Sequence, residues 1–239
     1  MNKYLAIYKE LLNRINTGTY NNLNNSIPNE IQLSKEFNCS RMTMRRAIDL
    51  LVQEGIIYRR RGSGSFIRDN TSSKCSPLFK LNNEVISGLT HSIEYDIVNK
   101  LISFKLIFAT ELIKNALSIK LNDPIYEIIR VRYINNSPYV IEKTYMNATI
   151  ISGITEEILE KSIYKYIEEK LKLSISSSKK ILRASPSNES DRDYLLLSEN
   201  EPILEVEQIA YLSNGKAFEY SFSRHRYDKF EFTSFTSKK

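Results

Sequence analysis

Hydrophobic positions in the first third of the chain recur at helical spacing and predict three short helices. Asn29, with Gln32 three residues later, has the spacing of a capping box and begins the second helix. Ser40 caps the third helix. The stripe of the first helix, from about Tyr4 to Asn16, comprises Leu5, Tyr8, Leu11, Leu12 and Ile15. The stripe of the third comprises Met44, Ala47, Ile48 and Leu51.

The segment after these helices predicts a β-hairpin with a basic, glycine-containing tip. Residues 56–58 and 65–67 have the apolar character of its two strands. Glycines at the tip permit positive φ and a close approach of the backbone to phosphate, and arginines neutralise phosphates or enter a minor groove. The tip includes Arg59, Arg60, Arg61, Gly62, Ser63 and Gly64. A structural hairpin that happens to be basic is the alternative.

Polar side chains of the third helix lie off its apolar stripe. They are Arg41, Thr43, Arg45 and Arg46. A solvated helix face is the ordinary explanation for such residues. Here they crowd the first two turns of the second helix of a helix-turn-helix, which is the part that enters the major groove. Arginine pairs with guanine edges and threonine contacts phosphates or thymine methyls, so double-stranded DNA is the predicted partner.

Charge is concentrated in the same region. Residues 1–69 hold 11 Lys+Arg and 6 Asp+Glu, a net of 11 − 6 = +5, whereas the other 170 residues hold 23 and 22, a net of +1. A basic first third is expected of a region that meets a polyanion. We therefore predict a winged helix-turn-helix domain over residues 1–68.

A polar segment at residues 69–77 is typical of a linker, and beyond it the pattern changes to alternating strands and short helices. Strands are predicted at 97–108, 125–133, 139–145, 173–182, 203–212 and 217–223, and helices at 111–118, 155–171 and 189–198. Hairpin signals at 135–137 and 214–215 favour a mainly antiparallel sheet with helices packed on it. The sequence thus predicts an α+β fold, with a second domain over residues 78–239.

Several charged side chains on these strands are candidates for ligand binding. Arg130 and Arg132 are two residues apart and so share a face, and guanidinium groups suit phosphate or carboxylate. From the spacing alone, an exposed strand face is the ordinary explanation for the two arginines, and surface ion pairs are the ordinary explanation for Glu142 and Glu219. The other candidates on the strands are Glu142, Glu219, Arg224 and His225.

Composition argues against several other classes of protein. No apolar run has the length of a membrane helix and no signal peptide is visible, so a cytoplasmic protein is expected. Cys39 and Cys75 form neither a metal-binding nor a disulfide pattern. With two histidines, His91 and His225, and no nucleophile elbow or glycine-rich phosphate loop, the sequence disfavours an enzyme and predicts no metal or cofactor.

The stretch from Pro28 to Ile67 carries a resemblance to a known family. Residues 4–67 resemble the DNA-binding domain of the GntR family of bacterial transcription regulators. The resemblance implies that Arg41, Thr43 and Arg45 contact operator DNA and that Gly62 lies in a wing entering the minor groove. The chain departs from the family pattern at Ile31, where many members have arginine.

Residues 78–236 resemble the effector-binding domain of the HutC branch of this family, which has the chorismate lyase fold. By this resemblance Arg130, Arg132 and Ser162, with Tyr164 following, bind phosphate, and Glu142 and Glu219 bind a sugar. His225 stands where amino-sugar sensors usually have tyrosine. The segments SIYKYIE, KLSIS, ESDRDYL and SRHRYDKFEF are similar to those of trehalose-operon repressors within the branch.

The resemblance implies a homodimeric repressor that binds a palindromic operator and is released by a phosphosugar, with trehalose 6-phosphate as the first candidate. An amino-sugar phosphate or another small anion is the alternative effector. Lyase-type or phosphosugar chemistry in the second domain is the remaining alternative. The amino-terminal edge of the ligand pocket is expected near Asn82 and Asn83, where related sensors have a Ser-Phe pair.

Overall fold

The computed structural model describes residues 3–20, 25–68, 79–81 and 97–232. The predicted linker at 69–77, His91 and the Asn82-Asn83 pair lie outside the described residues. The chain separates into two compact units, one formed by residues 1–84 and 231–239 and the other by residues 85–230. Within the described ranges, no helix has the length and apolarity needed to span a membrane.

The first unit contains the three predicted helices and a small sheet. The helices are α1 (Lys3–Asn16), α2 (Glu30–Glu36) and α3 (Arg41–Gln53), and the strands are β1 (Ser26–Ile27), β2 (Ile57–Arg60) and β3 (Gly64–Ile67). The strands lie in the order β1-β3-β2 and all pairs are antiparallel. This is a winged helix, as predicted, with β1 as an additional strand that is too short to show a periodicity in the sequence.

Caps and core fix the three helices. Asn29 accepts hydrogen bonds from the backbone of Ile31 and Gln32, and the Gln32 side chain accepts one from the Asn29 backbone, so the predicted capping box is confirmed. The stripe predicted for α3 faces one core, and so does that of α1, except that Ile7 takes the place in the core that was predicted for Leu5. The fully buried members of this core include Leu11, Leu33, Met44, Ile48, Leu51 and Ile57. Burial of each such side chain stabilises the fold by roughly 1.5–3 kcal/mol.

The second unit is built on a six-stranded sheet. Its strands are β5 (Ile97–Phe108), β6 (Pro124–Ile134), β7 (Ser137–Asn147), β8 (Ile175–Pro186), β9 (Pro202–Leu212) and β10 (Ala217–Arg226). They lie in the order β5-β6-β7-β10-β9-β8, and every neighbouring pair is antiparallel. Two further strands, β4 (Phe79–Leu81) and β11 (Phe230–Phe232), form a separate ribbon whose residues, apart from Phe230, fall in the first unit. The predicted α+β class with a mainly antiparallel sheet is confirmed.

Helices cover both faces of the six-stranded sheet. They are α4 (Glu111–Leu117), α5 (Glu156–Leu159), α6 (Ile163–Glu169) and α7 (Glu189–Leu195). Leu159, Ile163 and Ile167 of α5 and α6 pack with Ile128 and Met146. The apolar side chains of α4 and α7 instead pack with strand residues that alternate with these and point to the other side of the sheet. Among them are Ile125, Val131, Ile141 and Tyr220. The sheet therefore has a face under α5 and α6 and an opposite face under α4 and α7.

The prediction of one continuous helix over residues 155–171 is wrong. The chain leaves the helix after Leu159 and re-enters it at Ser162, whose hydroxyl accepts a hydrogen bond from the backbone of Lys165 at 3.3 Å. In the break, the carbonyl of Leu159 accepts a hydrogen bond from Arg130, and that of Glu160 accepts one from Asn99. Strand side chains thus replace the helical hydrogen bonds, which positions the α5–α6 turn over β5 and β6.

Candidate functional site

Helix α3 presents arginines to solvent at its amino-terminal end. Arg41 and Arg45 are exposed and form no salt bridge with any residue in the described ranges. The Ser40 hydroxyl accepts a hydrogen bond from the Thr43 backbone at 3.1 Å and lies 2.8 Å from the Thr43 hydroxyl. Arg46 is exposed, but its guanidinium stacks 4.4 Å from the centre of the Tyr4 ring of α1. Arg41 and Arg45 are therefore the arginines of this helix that are left to contact another molecule.

The wing tip has the conformation that its glycines predict. Gly62 has φ +75° and Gly64 has φ +116°, and a side chain at either position would meet no atom within 4 Å. Glycine is thus needed here for backbone conformation and not for space. Ser63 is exposed between the two glycines, and Arg61 is exposed immediately before Gly62. The tip therefore presents the guanidinium group of Arg61 and the hydroxyl of Ser63 to solvent.

The three wing arginines do not have the same role. Arg59 forms salt bridges with Asp49 of α3 and, at 3.1 Å, with Glu30 of α2. Its charge is compensated within the domain, although the sequence analysis had grouped it with the phosphate-binding arginines. Arg60 and Arg61 are exposed and form no salt bridge with the residues that the structure describes. Arg59 instead ties the wing to the helix-turn-helix.

Arg130 and Arg132 lie on the sheet face under α5 and α6 and bind the same carboxylate. Arg130 Nη2 is 3.0 Å and Arg132 Nη2 is 2.8 Å from Oε2 of Glu142 on the neighbouring strand β7. Arg130 also donates to the carbonyl of Leu159 at 2.9 Å. Both arginines are buried, 4% and 7% exposed. The prediction that they share a face is confirmed, and an exposed strand face is excluded.

The pKa values of Arg130 and Glu142 are shifted because two cations, Arg130 and Arg132, are buried around one anion. Burial lowers the pKa of Arg130 to about 10, and the charge of Arg132 adds to this effect. Burial alone would raise the pKa of Glu142, but Arg132 and Arg130 outweigh it and hold that pKa below its ordinary value. Glu142 is therefore ionised at neutral pH, and the group of two arginines and one glutamate has a net positive charge. Such a group attracts an anion.

Ser162 and Tyr164 reach the same face from α6. Ser162 is the amino-terminal cap of this helix. Tyr164 lies deeper: its hydroxyl accepts a hydrogen bond from Gln208 at 3.2 Å, and its ring lies 6.0 Å from that of Phe218. Burial first, and Glu219 second, raise the pKa of Tyr164, so its hydroxyl stays protonated.

Glu219 is a buried carboxyl group surrounded by donors. Its Oε1 accepts hydrogen bonds from Ser221 at 2.8 Å and from Gln208 at 3.0 Å. Burial raises its pKa above the ordinary value, and the charge of Glu142 adds to this rise. A carboxyl group in this state can accept from or donate to a sugar hydroxyl.

His225 completes the buried polar group on β10. Its ring stacks on Phe230 at 4.0 Å and meets the edge of Tyr139 at 5.3 Å. Burial lowers its pKa to about 3, so the imidazole is neutral at pH 7. Nδ1 has no hydrogen-bond partner in the described part of the chain. A neutral ring nitrogen buried among aromatic side chains is suited to a hydroxyl group of a ligand.

Arg224 does not join this group, and its prediction as an effector-binding residue is corrected. It lies on the opposite sheet face, because neighbouring residues of a strand point to opposite sides. There its guanidinium binds Asp191 at 2.7 Å and forms a second salt bridge with Glu205. Asp191 is fully buried at the start of α7, so Arg224 attaches that helix to the sheet.

Three polar residues on the sheet face under α5 and α6 were missed by the sequence analysis. Asn99 lies opposite Arg132 and donates to the Glu160 carbonyl at 3.0 Å. Gln208 bridges Tyr164 and Glu219, and Lys180 lies opposite Gln208 on β8. Pairing across the 214–215 hairpin would have suggested Gln208, but a bulge between Ala217 and Glu219 shifts that register.

The described residues contain no group of three His, Cys, Asp or Glu side chains placed to hold a metal ion. The polar group on the sheet face under α5 and α6 contains three cations, Arg130, Arg132 and Lys180, and the two carboxyl groups of Glu142 and Glu219. It is suited to bind an anion that also carries hydroxyl groups.

Known proteins share both parts of this architecture. Residues 3–67 match the model of bacterial regulatory proteins of the gntR family, and residues 94–231 match the UTRA domain. The HTH-type transcriptional regulator GmuR of Bacillus subtilis is 43% identical over 98% of each chain.

Two solved structures add to this likeness. That of the possible transcriptional regulator YydK from Bacillus subtilis has a TM-score of 0.80 at 29% identity and covers 98% of this chain and 100% of that one. That of the effector binding domain of the B. subtilis trehalose repressor TreR has a TM-score of 0.53 at 36% identity and covers 59% of this chain and 99% of that one. The chain therefore belongs to the GntR family of bacterial regulatory proteins and pairs its DNA-binding domain with a UTRA domain.

Proposed function

We propose that this protein is a homodimeric transcription repressor that a phosphorylated sugar releases from its operator. The buried pair Arg130 and Arg132 on Glu142 is the observation that carries the proposal. Two buried guanidinium groups around one carboxylate leave an uncompensated positive charge, and a phosphate group supplies the missing negative charge. Residues 1–68 bind DNA, residues 78–239 bind the effector and dimerise, and residues 69–77 link them.

DNA binding is assigned to α3 and the wing. Arg41, Thr43 and Arg45 meet base edges or phosphates in a major groove, with the exposed Arg46 beside them. The wing tip approaches the adjacent backbone or minor groove through Arg61, Gly62, Ser63 and Gly64. One such unit reads one half-site, so a palindromic operator needs two copies related by a two-fold axis.

The edge strand β5 offers a surface for the second copy. Leu106 and Phe108 alternate with Ile107 along this strand and are 63% and 67% exposed. Large apolar side chains at an unpaired sheet edge are the kind of surface that dimers bury. Sedimentation at micromolar concentration should show a dimer, and Phe108→Lys should shift it towards monomer. A persistent wild-type monomer would contradict the assignment.

Effector binding is assigned to the polar group around Glu142. The phosphate is held by Arg130, Arg132 and Ser162, with Tyr164 behind them, and Glu142, Glu219 and His225 contact the sugar. Trehalose 6-phosphate is the first candidate effector, supported by 36% identity to the trehalose repressor's effector domain. An amino-sugar phosphate is the second candidate.

Fluorescence anisotropy tests this function directly. A labelled duplex selected from random sequences for tight binding is titrated with protein, and the complex is then challenged with single compounds. Trehalose 6-phosphate is expected to release the duplex, whereas trehalose and inorganic phosphate are not, because each carries half of the recognised chemistry. Ligand and operator then oppose each other reciprocally, by roughly 1–3 kcal/mol. Release by trehalose alone would overturn the phosphate assignment.

Turnover of the effector is the competing function. Nuclear magnetic resonance of trehalose 6-phosphate and of other phosphosugars incubated with the protein would reveal conversion. We expect each compound to remain unchanged over hours, because the described polar group holds no activated nucleophile and no metal site. Any protein-dependent product would replace the repressor assignment of the second domain with an enzymatic one.

A further inference from the structure

We propose that the effector site continues across the sheet from the arginines to Lys180, and that its ligand is a phosphorylated disaccharide whose second ring contacts Gln208 and Lys180. The inference rests on the phosphosugar function proposed above and narrows it to a ligand with two sugar rings. It assigns a specificity role to two residues on β8 and β9 that lie far from the phosphate.

A row of polar residues crosses the sheet in register. Thr144 of β7 lies opposite Ser221 of β10, Ser221 lies opposite Gln208 of β9, and Gln208 lies opposite Lys180 of β8. Residues that are directly opposite on paired strands share a face, so all four point to the side covered by α5 and α6. Glu142, two residues before Thr144, joins this row to the arginines on β6.

The polar character of the four residues in this row requires an explanation. The same face contributes Ile128, Met146 and Ala210 to the core beneath α6, and apolar residues along the row would extend that core. Thr144 and Ser221 are buried, and the Ser221 hydroxyl donates to Glu219 at 2.8 Å, so it orients that carboxyl group beside the row. A continuous polar row within an apolar face is what a ligand with many hydroxyl groups requires.

Lys180 gives the most direct support for a hydroxyl-rich ligand along this row. Its side chain is partly buried, yet its ammonium group forms no salt bridge with a residue in the described ranges. Burial lowers the pKa of Lys180, and Glu219 only partly opposes this. An ammonium group has three donors, and sugar hydroxyl oxygens are acceptors that would satisfy them. Gln208 presents its amide beside it and is held by Tyr164 and Glu219.

The distance from one end of the row to the other determines how long a ligand must be to contact both ends. Four strand intervals separate β6 from β8, and neighbouring strands lie about 4.8 Å apart, which gives roughly 19 Å from the arginine strand to the Lys180 strand. A single ring with its phosphate on Arg130 and Arg132 ends near Glu219, on the strand in the middle. A second ring places hydroxyl groups at Gln208 and Lys180.

Calorimetry with defined probes tests the inference. The full-length protein is titrated with glucose 6-phosphate and with α-linked and β-linked glucosyl-glucose 6-phosphates, trehalose 6-phosphate among them. We expect at least one disaccharide phosphate to bind wild type about ten-fold or more tightly than glucose 6-phosphate does. Lys180→Met should remove about ten-fold of that preference and leave glucose 6-phosphate binding nearly unchanged.

The neighbouring lysine supplies the matched control. Lys179 is exposed and lies on the opposite sheet face, so Lys179→Met should bind every probe as wild type does. Thermal unfolding separates a lost contact from a damaged fold. Methionine keeps the apolar stem and removes a charge that is costly to bury, so Lys180→Met should unfold no earlier than wild type.

Each result has a defined meaning. Equal affinity of wild type for glucose 6-phosphate and every disaccharide phosphate overturns the two-ring ligand and leaves the phosphosugar function intact. The same titration curves for Lys180→Met and Lys179→Met overturn the contact at Lys180. Binding of none of these phosphates overturns the proposed function together with the inference.

Discussion

The carboxylate of Glu142 accepts a hydrogen bond from Arg132 at 2.8 Å although both side chains are buried. The same oxygen is bound by Arg130, so one glutamate compensates two guanidinium groups. Breaking a buried ion pair by removing one partner is far more costly than the pair is worth, because an uncompensated charge remains. The arginines are therefore a source of instability that Glu142 relieves.

Replacement of Glu142 by glutamine should destabilise the second domain. We expect the free energy of unfolding to fall by about 3–5 kcal/mol, measured by urea denaturation, because two buried cations lose their counter-charge. Glu127→Gln is the matched control on the adjacent strand, since its salt bridge with Lys143 is at the surface and should contribute less than ~1 kcal/mol. Equal losses in the two variants would contradict this view of Glu142.

Arg132 and Arg130 should differ when each is replaced by alanine. Both variants should bind trehalose 6-phosphate roughly 30-fold or more weakly, the equivalent of about 2 kcal/mol. Arg130→Ala should also unfold earlier, because the Leu159 carbonyl loses its donor. Isothermal calorimetry and thermal denaturation measure the two effects. Arg183→Ala, at an exposed salt bridge, is the control and should change neither. Unchanged affinity in both arginine variants would place the anion elsewhere.

Arg224→Ala should act on stability alone. The change leaves Asp191 fully buried without its guanidinium partner, so we expect a loss of roughly 3 kcal/mol or more in unfolding free energy. The folded variant should keep wild-type affinity for trehalose 6-phosphate, because Arg224 lies on the other face of the sheet from Glu219 and His225. Weakened binding at temperatures where the variant is fully folded would show that the effector reaches this residue.

The arginines of the DNA-binding domain should also divide into two classes. Arg45→Ala should weaken binding to the selected duplex by ~1–3 kcal/mol and relax its sequence preference, because arginine reads guanine edges. Arg59→Ala should instead lower the stability of the domain, since Arg59 joins the wing to Asp49 and Glu30. Anisotropy at several salt concentrations tests both. Unaltered sequence preference in Arg45→Ala would mean that α3 is not the reading helix.

His225 should make the protein acid-sensitive. Its pKa is about 3 in the folded state against an ordinary 6.5, so below pH 6.5 the unfolded chain binds a proton that the folded chain does not. Stability then falls as pH falls from 6.5, by up to about 1.4 kcal/mol per pH unit from this residue. His225→Gln should lose that part of the slope. Unfolding curves measured from pH 7 to pH 5 with the same slope in both proteins would contradict the low pKa.

Local patterns in the sequence were sufficient for most of the fold. Helical spacing, caps and hairpin signals placed α1, α2, α3 and the hairpins β2–β3, β6–β7 and β9–β10 correctly in kind, because these depend on neighbouring residues. The break before Ser162 was not predictable this way. It depends on Arg130 and Asn99, which are distant in sequence and capture the carbonyl groups of the turn.

The candidate site, like the fold, could be predicted from local sequence patterns only in part. The alternation of side chains along a strand was enough to place Arg130 and Arg132 on one face of the sheet. The same rule would have placed the neighbouring residues Arg224 and His225 on opposite faces. The difference between Arg59 and Arg61 has no local signal, because it depends on two acidic residues of the helices. Lys180 and Gln208 become visible only when the strand order is known, since β8 and β9 precede β10 in sequence but lie beyond it from the arginines.

The position of Glu142 has a consequence for selectivity against simple salts. An incoming anion meets arginines that already bind the carboxylate of Glu142, so it competes with an intramolecular anion held at very high local concentration. A small ion such as inorganic phosphate has no further groups with which to offset this competition. A larger anion that also hydrogen-bonds Glu219 and His225 gains additional contacts. In the proposed function, such competition would let the site discriminate against abundant small anions.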